Sequence, residues 1–272
     1  MIAAPAVEVE HGRSKQELLE TASASRLGCF QTCRLKFYFK YVLGLKKTRT
    51  SVLFVGSMVH SILQQWNLAR WREGKVDTAK LKQHLELTWK TDQDKDTVRW
   101  DENEEPYSKA ETWSLFEMYL QQTPIALDEK PEAVEVSVEA DLSRHSLPKL
   151  IGIIDLVRKG GRIVDFKTSG QTPNAEKAEH LHETQLSCYA IMYREATGKK
   201  ESALELHHLV KLKTPKLVVT SLAPMTPGQE TRLFRILDSY VKGIQDEDWI
   251  PSPSPMHCAC CEFFNECRRW QG

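Results

Sequence analysis

The sequence predicts an α/β protein, a mixed sheet flanked by helices with a helical N-terminal elaboration, and three observations carry that expectation. Apolar residues recur with helical spacing through most of residues 21–125. After Pro131 the pattern changes to the two-residue alternation of strands, and a strongly amphipathic segment and a cysteine-rich tail follow the last strand.

Residues 1–20 read as a lead-in. Ser23 or Ser25 can cap a helix running to about Val42 and ending near Gly44. A second helix is expected after Gly56 and Ser57, with Val59, Ile62, Leu63 and Trp66 on one side and His60 in its first turn. Helical patterning continues through 80–90 and, after the charged stretch 92–105, through 110–121. Residues 133–142 then alternate, with Val134, Val136 and Val138 on one face and Glu135, Ser137 and Glu139 on the other. Residues 150–158 and 162–168 read as two strands joined by a glycine turn at 159–161. A helix over 182–196 ends at Gly198, and strands at 204–212 and 217–222 surround Pro215. Thr226, Pro227 and Gln229 supply an N-cap, a first-turn proline and a capping box for a helix over 230–244, whose Leu233, Phe234, Leu237, Tyr240, Val241 and Ile244 form its buried stripe. No linker interrupts the chain. A single domain over 1–272 is expected, with a helical elaboration at 21–125, a sheet region at 131–223 and a helix plus cysteine-rich tail at 226–272.

With 272 residues, 41% hydrophobic and 27% charged, the chain can bury a core without disulfide staples. No run reaches the roughly 18 apolar residues of a membrane span, and residues 1–9 lack the pattern of a signal peptide, so a cytoplasmic protein without a membrane partner is expected. The 37 basic and 37 acidic side chains cancel, but residues 21–50 hold seven basic residues and no acid, interleaved with Phe30, Phe37, Tyr38, Phe39 and Tyr41. Such a segment can face a phosphate backbone or form an amphipathic helix with solvated lysines. Tyr38, Phe39, Trp66 and Trp71 can stack on bases or fill a core.

The chemistry concentrates in GIIDLV and IVDFKTS. Asp165 and Lys167 are two apart on one strand and share a face, while the hairpin can bring Asp155 alongside. Carboxylates with an open side suit Mg²⁺ or Mn²⁺, and a divalent ion there makes water a nucleophile while the lysine offsets charge growing on a phosphoryl oxygen. A structural salt bridge at a sheet edge is the alternative. Gln185 and Tyr189, four apart, share one face of the following helix.

These strings, in this order, resemble the PD-(D/E)xK nuclease superfamily, specifically its RecB-like exonuclease branch, which includes the CRISPR-associated Cas4 proteins and the nuclease domain of AddB. The resemblance spans about residues 23–267 and implies a restriction-endonuclease-like mixed sheet. It also implies that His60 in VGSMVHSIL, Asp155 in GIID and Asp165 in VDFKTS bind the metal, with Lys167 assisting. Gln185 and Tyr189 in QLSCY match a motif that supports the site and contacts DNA. Some members add a glutamate from the preceding strand, for which Glu139 is the candidate and Glu135 the alternate.

Seven cysteines occur at Cys29, Cys33, Cys188, Cys258, Cys260, Cys261 and Cys267. In a reducing compartment the tail thiols invite a soft metal, and spacing leaves zinc and an iron–sulfur cluster open. The resemblance implies a [4Fe–4S] cluster held by one upstream and three C-terminal cysteines, here Cys33 with Cys258, Cys261 and Cys267. Cys29 competes for the upstream place, and Cys188 reads as a buried thiol. The implied function is a Mg²⁺- or Mn²⁺-dependent deoxyribonuclease acting on single-stranded DNA ends in repair, recombination or DNA processing. Trimming of prespacers beside a CRISPR integrase and an iron–sulfur scaffold for a helicase or recombination partner are the alternatives. No Gly-Lys-Ser or Gly-Lys-Thr loop is present, so any ATP-driven unwinding belongs to a partner.

Overall fold

The computed structural model of the chain describes residues 12–72, 76–95 and 98–272. Helix α1 (Lys15–Glu20) opens with a reciprocal capping box between Ser14 and Glu17, so helix begins inside the expected lead-in. Residues 1–11 of that segment lie outside the described residues. After β1 (Thr21–Ala22), the single helix expected up to Val42 is three pieces: α2 (Ala24–Thr32), α3 (Arg34–Phe37) and a π-helical turn (Tyr38–Val42). The break falls at Cys33, whose backbone is extended. Its N–H donates to the Cys29 carbonyl and ends α2, while its Sγ accepts from the Lys36 N–H and starts α3.

β2 (Arg49–Thr50) leads into α4 (Ser51–Arg72). The Thr50 hydroxyl accepts from the Leu53 N–H, which starts α4 ahead of Gly56 and places His60 well inside the helix rather than in its first turn. Then come α5 (Thr78–Lys95), β3 (Val98–Arg99), α6 (Glu104–Gln122), β4 (Ala133–Ala140), β5 (Lys149–Arg158) and β6 (Arg162–Ser169). They are followed by α7 (Ala175–Thr197), β7 (Ala203–Val210), β8 (Lys216–Leu222), α8 (Pro227–Gln245), α9 (Pro255–Ala259) and α10 (Phe264–Arg269). α7 starts before the expected His182 because Asn174 caps it, accepting from the Lys177 N–H. The capping box of α8 and the glycine turn between β5 and β6, with Gly160 and Gly161 at positive φ, follow expectation.

β4 runs antiparallel along one edge of β5, from Ala133 opposite Val157 to Ala140 opposite Leu150. The other edge is shared. β1 pairs with Lys149 and Leu150 at one end, and β6 pairs with Leu156, Val157 and Arg158 at the other. Between them β5 and β6 splay apart. β6 continues parallel to β7, and β7 antiparallel to β8.

Helices cover both faces of this sheet. Leu150, Ile154 and Ile163 pack with residues of α1, α2, α7 and α8. Leu156, Val164 and Phe166 pack with α4, α5 and α6, notably Phe54, Ile62, Trp66 and Phe116. Each such side chain contributes about 1.5–3 kcal/mol on burial. Gly152 lets α7 lie close to β5, since a Cβ there would stand 2.7 Å from Met192 Cε. Of the aromatic residues weighed as stacking surfaces, Trp66 and Phe39 are buried, Trp71 packs on the α4–α6 side, and Tyr38 stacks on Trp249.

The expected face for Val134, Val136 and Val138 is divided. Val134 joins the α4–α6 side, whereas Val136 and Val138 pack on the α7 side. The cause is the backbone between them, because Glu135 sits at φ +47°, a left-handed conformation that interrupts the two-residue alternation. β5 makes the same change at Asp155, which stands between Ile154 and Leu156, the register partners of Val136 and Val134, on opposite sides.

At the far end of the sheet, Glu205 is 3% exposed and accepts from Arg158, Arg162 and His207 at 3.0, 2.6 and 3.1 Å. Burial opposes its ionisation, but the His207 and Arg162 hydrogen bonds and the Arg158 charge hold it down at about 2. Its stabilising charge is therefore fully present above the ordinary carboxylate pKa of 4.5 and lost as pH falls toward 2. Glu205→Gln should cost about 3–5 kcal/mol at neutral pH, since it strands buried cations. It should also flatten the fall in stability between pH 5 and pH 2, measured as urea midpoints across that range.

Candidate active site and cysteine centre

The splay of β5 from β6 is held open by a side chain. The Phe166 N–H donates to Asp155 Oδ2 at 2.9 Å, so a carboxylate fills the place of a strand carbonyl. His60 Nδ1, delivered by α4, lies 3.4 Å from the same oxygen. Glu135 completes the group: among the described residues, His60, Glu135 and Asp155 offer one nitrogen and two carboxylate oxygens all within 4.8 Å of one another. One imidazole and two carboxylates form a metal-binding group of borderline-to-hard donors. Glu139, by contrast, points away and pairs with Lys149 at 3.1 Å.

Asp165 and Lys167 stand on the α7 side of β6. Asp165 is 1% exposed, and its Oδ2 is 2.7 Å from Lys167 Nζ. Gln185 on α7 bridges the pair, accepting from Lys167 Nζ at 2.8 Å and donating from Nε2 to Asp165 Oδ1 at 3.0 Å. The same Nε2 lies 2.9 Å from the Tyr189 hydroxyl. Burial raises the Asp165 pKa, opposed by Lys167 and reinforced by Asp155, and His60 also acts on it. The metal-binding group therefore differs from the expected His60, Asp155 and Asp165: Glu135 takes the third place, and the Asp165 carboxylate is instead taken up by Lys167 and Gln185.

Sequence reasoning missed two neighbours. His208 is buried on β7 opposite Lys167, and His182 on α7 lies 5.8 Å from its ring centroid. Burial and the Lys167 charge push His182 down to about 4, so both act as neutral imidazoles at neutral pH beside the ammonium.

A second centre joins the chain's two regions of basic and acidic charge. Cys33, Cys258 and Cys261 all act electrostatically on Cys267, and Leu35, Phe39 and Phe263 pack beneath them. Cys33 Sγ accepts from the Lys36 and Ser252 N–H groups, both at 3.5 Å, and Cys258 Sγ from the Ser254 N–H at 3.4 Å. Backbone donors are thus aimed at the Cys33 and Cys258 sulfurs, and among the described residues no three of these cysteines bring their sulfurs within 4.8 Å of one another as the His60 group does. Cys29 is half-buried, with its thiol pushed up to about 11 by burial, Cys188 is fully buried, and Cys260 is exposed.

Three cations of the basic segment are paired with acids of the tail. Arg34 pairs with Asp248, Lys36 with Glu262 at 2.8 Å, and Lys47 with Glu266 at 2.5 Å. Arg26 is buried against Thr21, and Arg49 bonds Ser57. The physical reason is proximity: the acidic tail folds back onto α3.

The metal-binding group has a cost when empty. Burial, then the Asp155 charge, raises Glu135 to about 7 from an ordinary 4.5. Between those values the unfolded chain has released this proton and the folded protein has not, so this group lowers stability as pH rises through that window. In EDTA, Glu135→Gln should raise the thermal midpoint at pH 8 and leave it unchanged at pH 4. Added Mn²⁺ should raise the wild-type midpoint more than that of the variant.

Among the described residues no helix is long and apolar enough to cross a membrane. No curated protein is similar enough to this sequence to match it. Among solved structures, a "Putative exonuclease" from Eubacterium rectale shares the fold at a TM-score of 0.60 and 14% identity, over 95% of this chain and 91% of that one. The structure of SSO0001 aligns at a TM-score of only 0.37 and 13% identity, over 86% of this chain and 91% of that one, too little to bear on the fold. Residues 21–268, nearly the whole chain and every residue of the site just described, match the PD-(D/E)XK nuclease superfamily, and the chain belongs to that superfamily of nuclease-type hydrolases.

Proposed function

We infer that this protein is a Mg²⁺- or Mn²⁺-dependent exonuclease for single-stranded DNA ends, of the RecB-like branch that carries a [4Fe–4S] cluster, with the whole chain acting as one nuclease unit. The observation that carries the assignment is the meeting of the His60, Glu135 and Asp155 group with the bridged Asp165, Lys167 and Gln185 at one opening in the sheet.

Mg²⁺ or Mn²⁺ held there supplies Lewis acidity toward a phosphoryl oxygen and an activated water. His60, Glu135 and Asp155 would hold the ion, with Asp165 beside them, fixed by Lys167 and Gln185. Lys167, 2.7 Å from Asp165, would offset the negative charge that grows on the phosphate. Gln185 fixes the positions of both, and Tyr189 fixes Gln185. Cys33, Cys258, Cys261 and Cys267 hold the cluster, whose place is structural because hydrolysis moves no electrons.

Asp165→Ala and Lys167→Ala should each lower cleavage of end-labelled single strands by at least about 100-fold, with circular dichroism unchanged. Circular single strands should resist the wild type, and digestion of circles at the linear rate overturns the exonuclease assignment. For the cluster, anaerobically purified wild type should contain iron and sulfide in equal amounts. Cys33→Ser should lose both and unfold at lower temperature, while Cys29→Ser and Cys260→Ser keep them; zinc without sulfide in the wild type rejects the cluster.

A further inference from the structure

A trough leads away from the active site. Its first part, a cavity of about 870 Å³, lies between α2, the N-terminal half of α7 and α8. Gln185 lines it, and its side-chain amide also bridges Asp165 and Lys167, so the trough opens on the reacting centre. His182, one helical turn before Gln185, lines it too. A second cavity of about 440 Å³ shares Gln31 and Ile236 with the first and continues to Ile250 and Ser252, beside Cys33.

The walls suit a chain of alternating charge and flat apolar surface. Ser25, Gln31, Thr32 and Thr184 present hydroxyls and amides, while Leu181 stands in the trough 76% exposed. Arg232 spends its charge on Glu183 at 2.6 and 2.9 Å. Arg235, in the second cavity, makes no ion pair among the described residues. The floor is kept clear by Gly28, where a Cβ would meet nothing within 4 Å. Glycine inside a helix is unfavourable relative to alanine, and no packing contact requires it here. The occupant follows from continuity: a trough that shares Gln185 with the reacting centre receives the part of a strand beyond the bond that is cut, with Arg235 as a phosphate contact.

We propose that the trough along α2 and α8 is the track for the single DNA strand whose end is cut, running from Gln185 past Gly28 and Gln31 to Arg235. The proposal rests on the nuclease function above and adds the surface that holds the uncut part of the strand.

The test is fluorescence anisotropy with the full-length protein in EDTA, using fluorescein-labelled oligothymidylates from about 4 to about 16 nucleotides, the span of single-strand sites. Wild-type affinity should rise with length and then level off. Gly28→Trp, which adds an indole where a Cβ meets nothing within 4 Å, should weaken the longest strands at least about 10-fold while leaving the shortest little changed. Leu127→Trp, on a different exposed surface, should leave the length dependence intact. Arg235→Ala provides an independent arm. It should reduce the slope of log affinity against log salt by about 0.7, the value for one phosphate contact on a single strand.

A folded Gly28→Trp protein that binds long strands like the wild type overturns the track, as does an unchanged salt slope in Arg235→Ala should Gly28→Trp fail to fold. With Mn²⁺ added, wild type that cleaves strands yet shows no length dependence also overturns the track alone. Length-dependent binding that Gly28→Trp abolishes, without any cleavage by the wild type, supports the track and overturns the nuclease assignment. Neither binding nor cleavage overturns both.

Discussion

The hydrogen bond from the Phe166 N–H to the Asp155 carboxylate governs the architecture of the catalytic region. A carboxylate accepting from a backbone amide contributes about 1.5–3 kcal/mol. Here it also ends the ladder between β5 and β6 without orphaning the amide it exposes. Once the strands separate, β5 turns its side chains to the other layer at Asp155, and β4 does the same at Glu135, between the register pairs Val134–Leu156 and Val136–Ile154. The left-handed backbone at Glu135 is thus the counterpart of a strand separation. Its result is a second carboxylate delivered to His60 at the opening between β5 and β6.

On the α7 side the logic is electrostatic. A buried carboxylate and a nearby ammonium are costly to hold without full hydrogen bonding. Gln185 meets both demands with one amide, its oxygen on Lys167 and its nitrogen on Asp165. An amide is suited to this because it presents a donor and an acceptor together, whereas a carboxylate at that position would add repulsion. Tyr189, with its phenol pK raised first by burial and then by Asp165, stays neutral and keeps the amide oriented.

The sheet and most of the site were legible in the sequence because local rules decide them. Alternation marks β4, the paired glycines set the turn between the two strand-like runs of β5 and β6, and two-residue spacing puts Asp165 beside Lys167. What escaped depended on contacts distant in sequence or on backbone conformations without a residue signature. Glu135 and Glu139 share strand parity, and glutamate gives no hint of positive φ. Cys29 and Cys33 share a helical face, and nothing in ASRLGCFQTC announces that Cys33 leaves the helix. His182 was read as a helix start because the Asn174 cap was overlooked, which hid its place opposite His208. The basic segment could not be assigned to the tail since its acids lie beyond residue 247.

The pairing of α3 with the tail also sets an order of events. Arg34, Lys36 and Lys47 find their acids 214, 226 and 219 residues downstream. At a synthesis rate of about 5–20 residues per second, Arg34 emerges roughly 10–45 s before Asp248 exists. Throughout that interval a segment rich in phenylalanine, arginine and lysine has neither its buried surface nor its counter-charges, which is the profile that chaperones engage. This segment, made well before its partners, is therefore among the last to reach its final contacts, and vectorial synthesis gives it no head start.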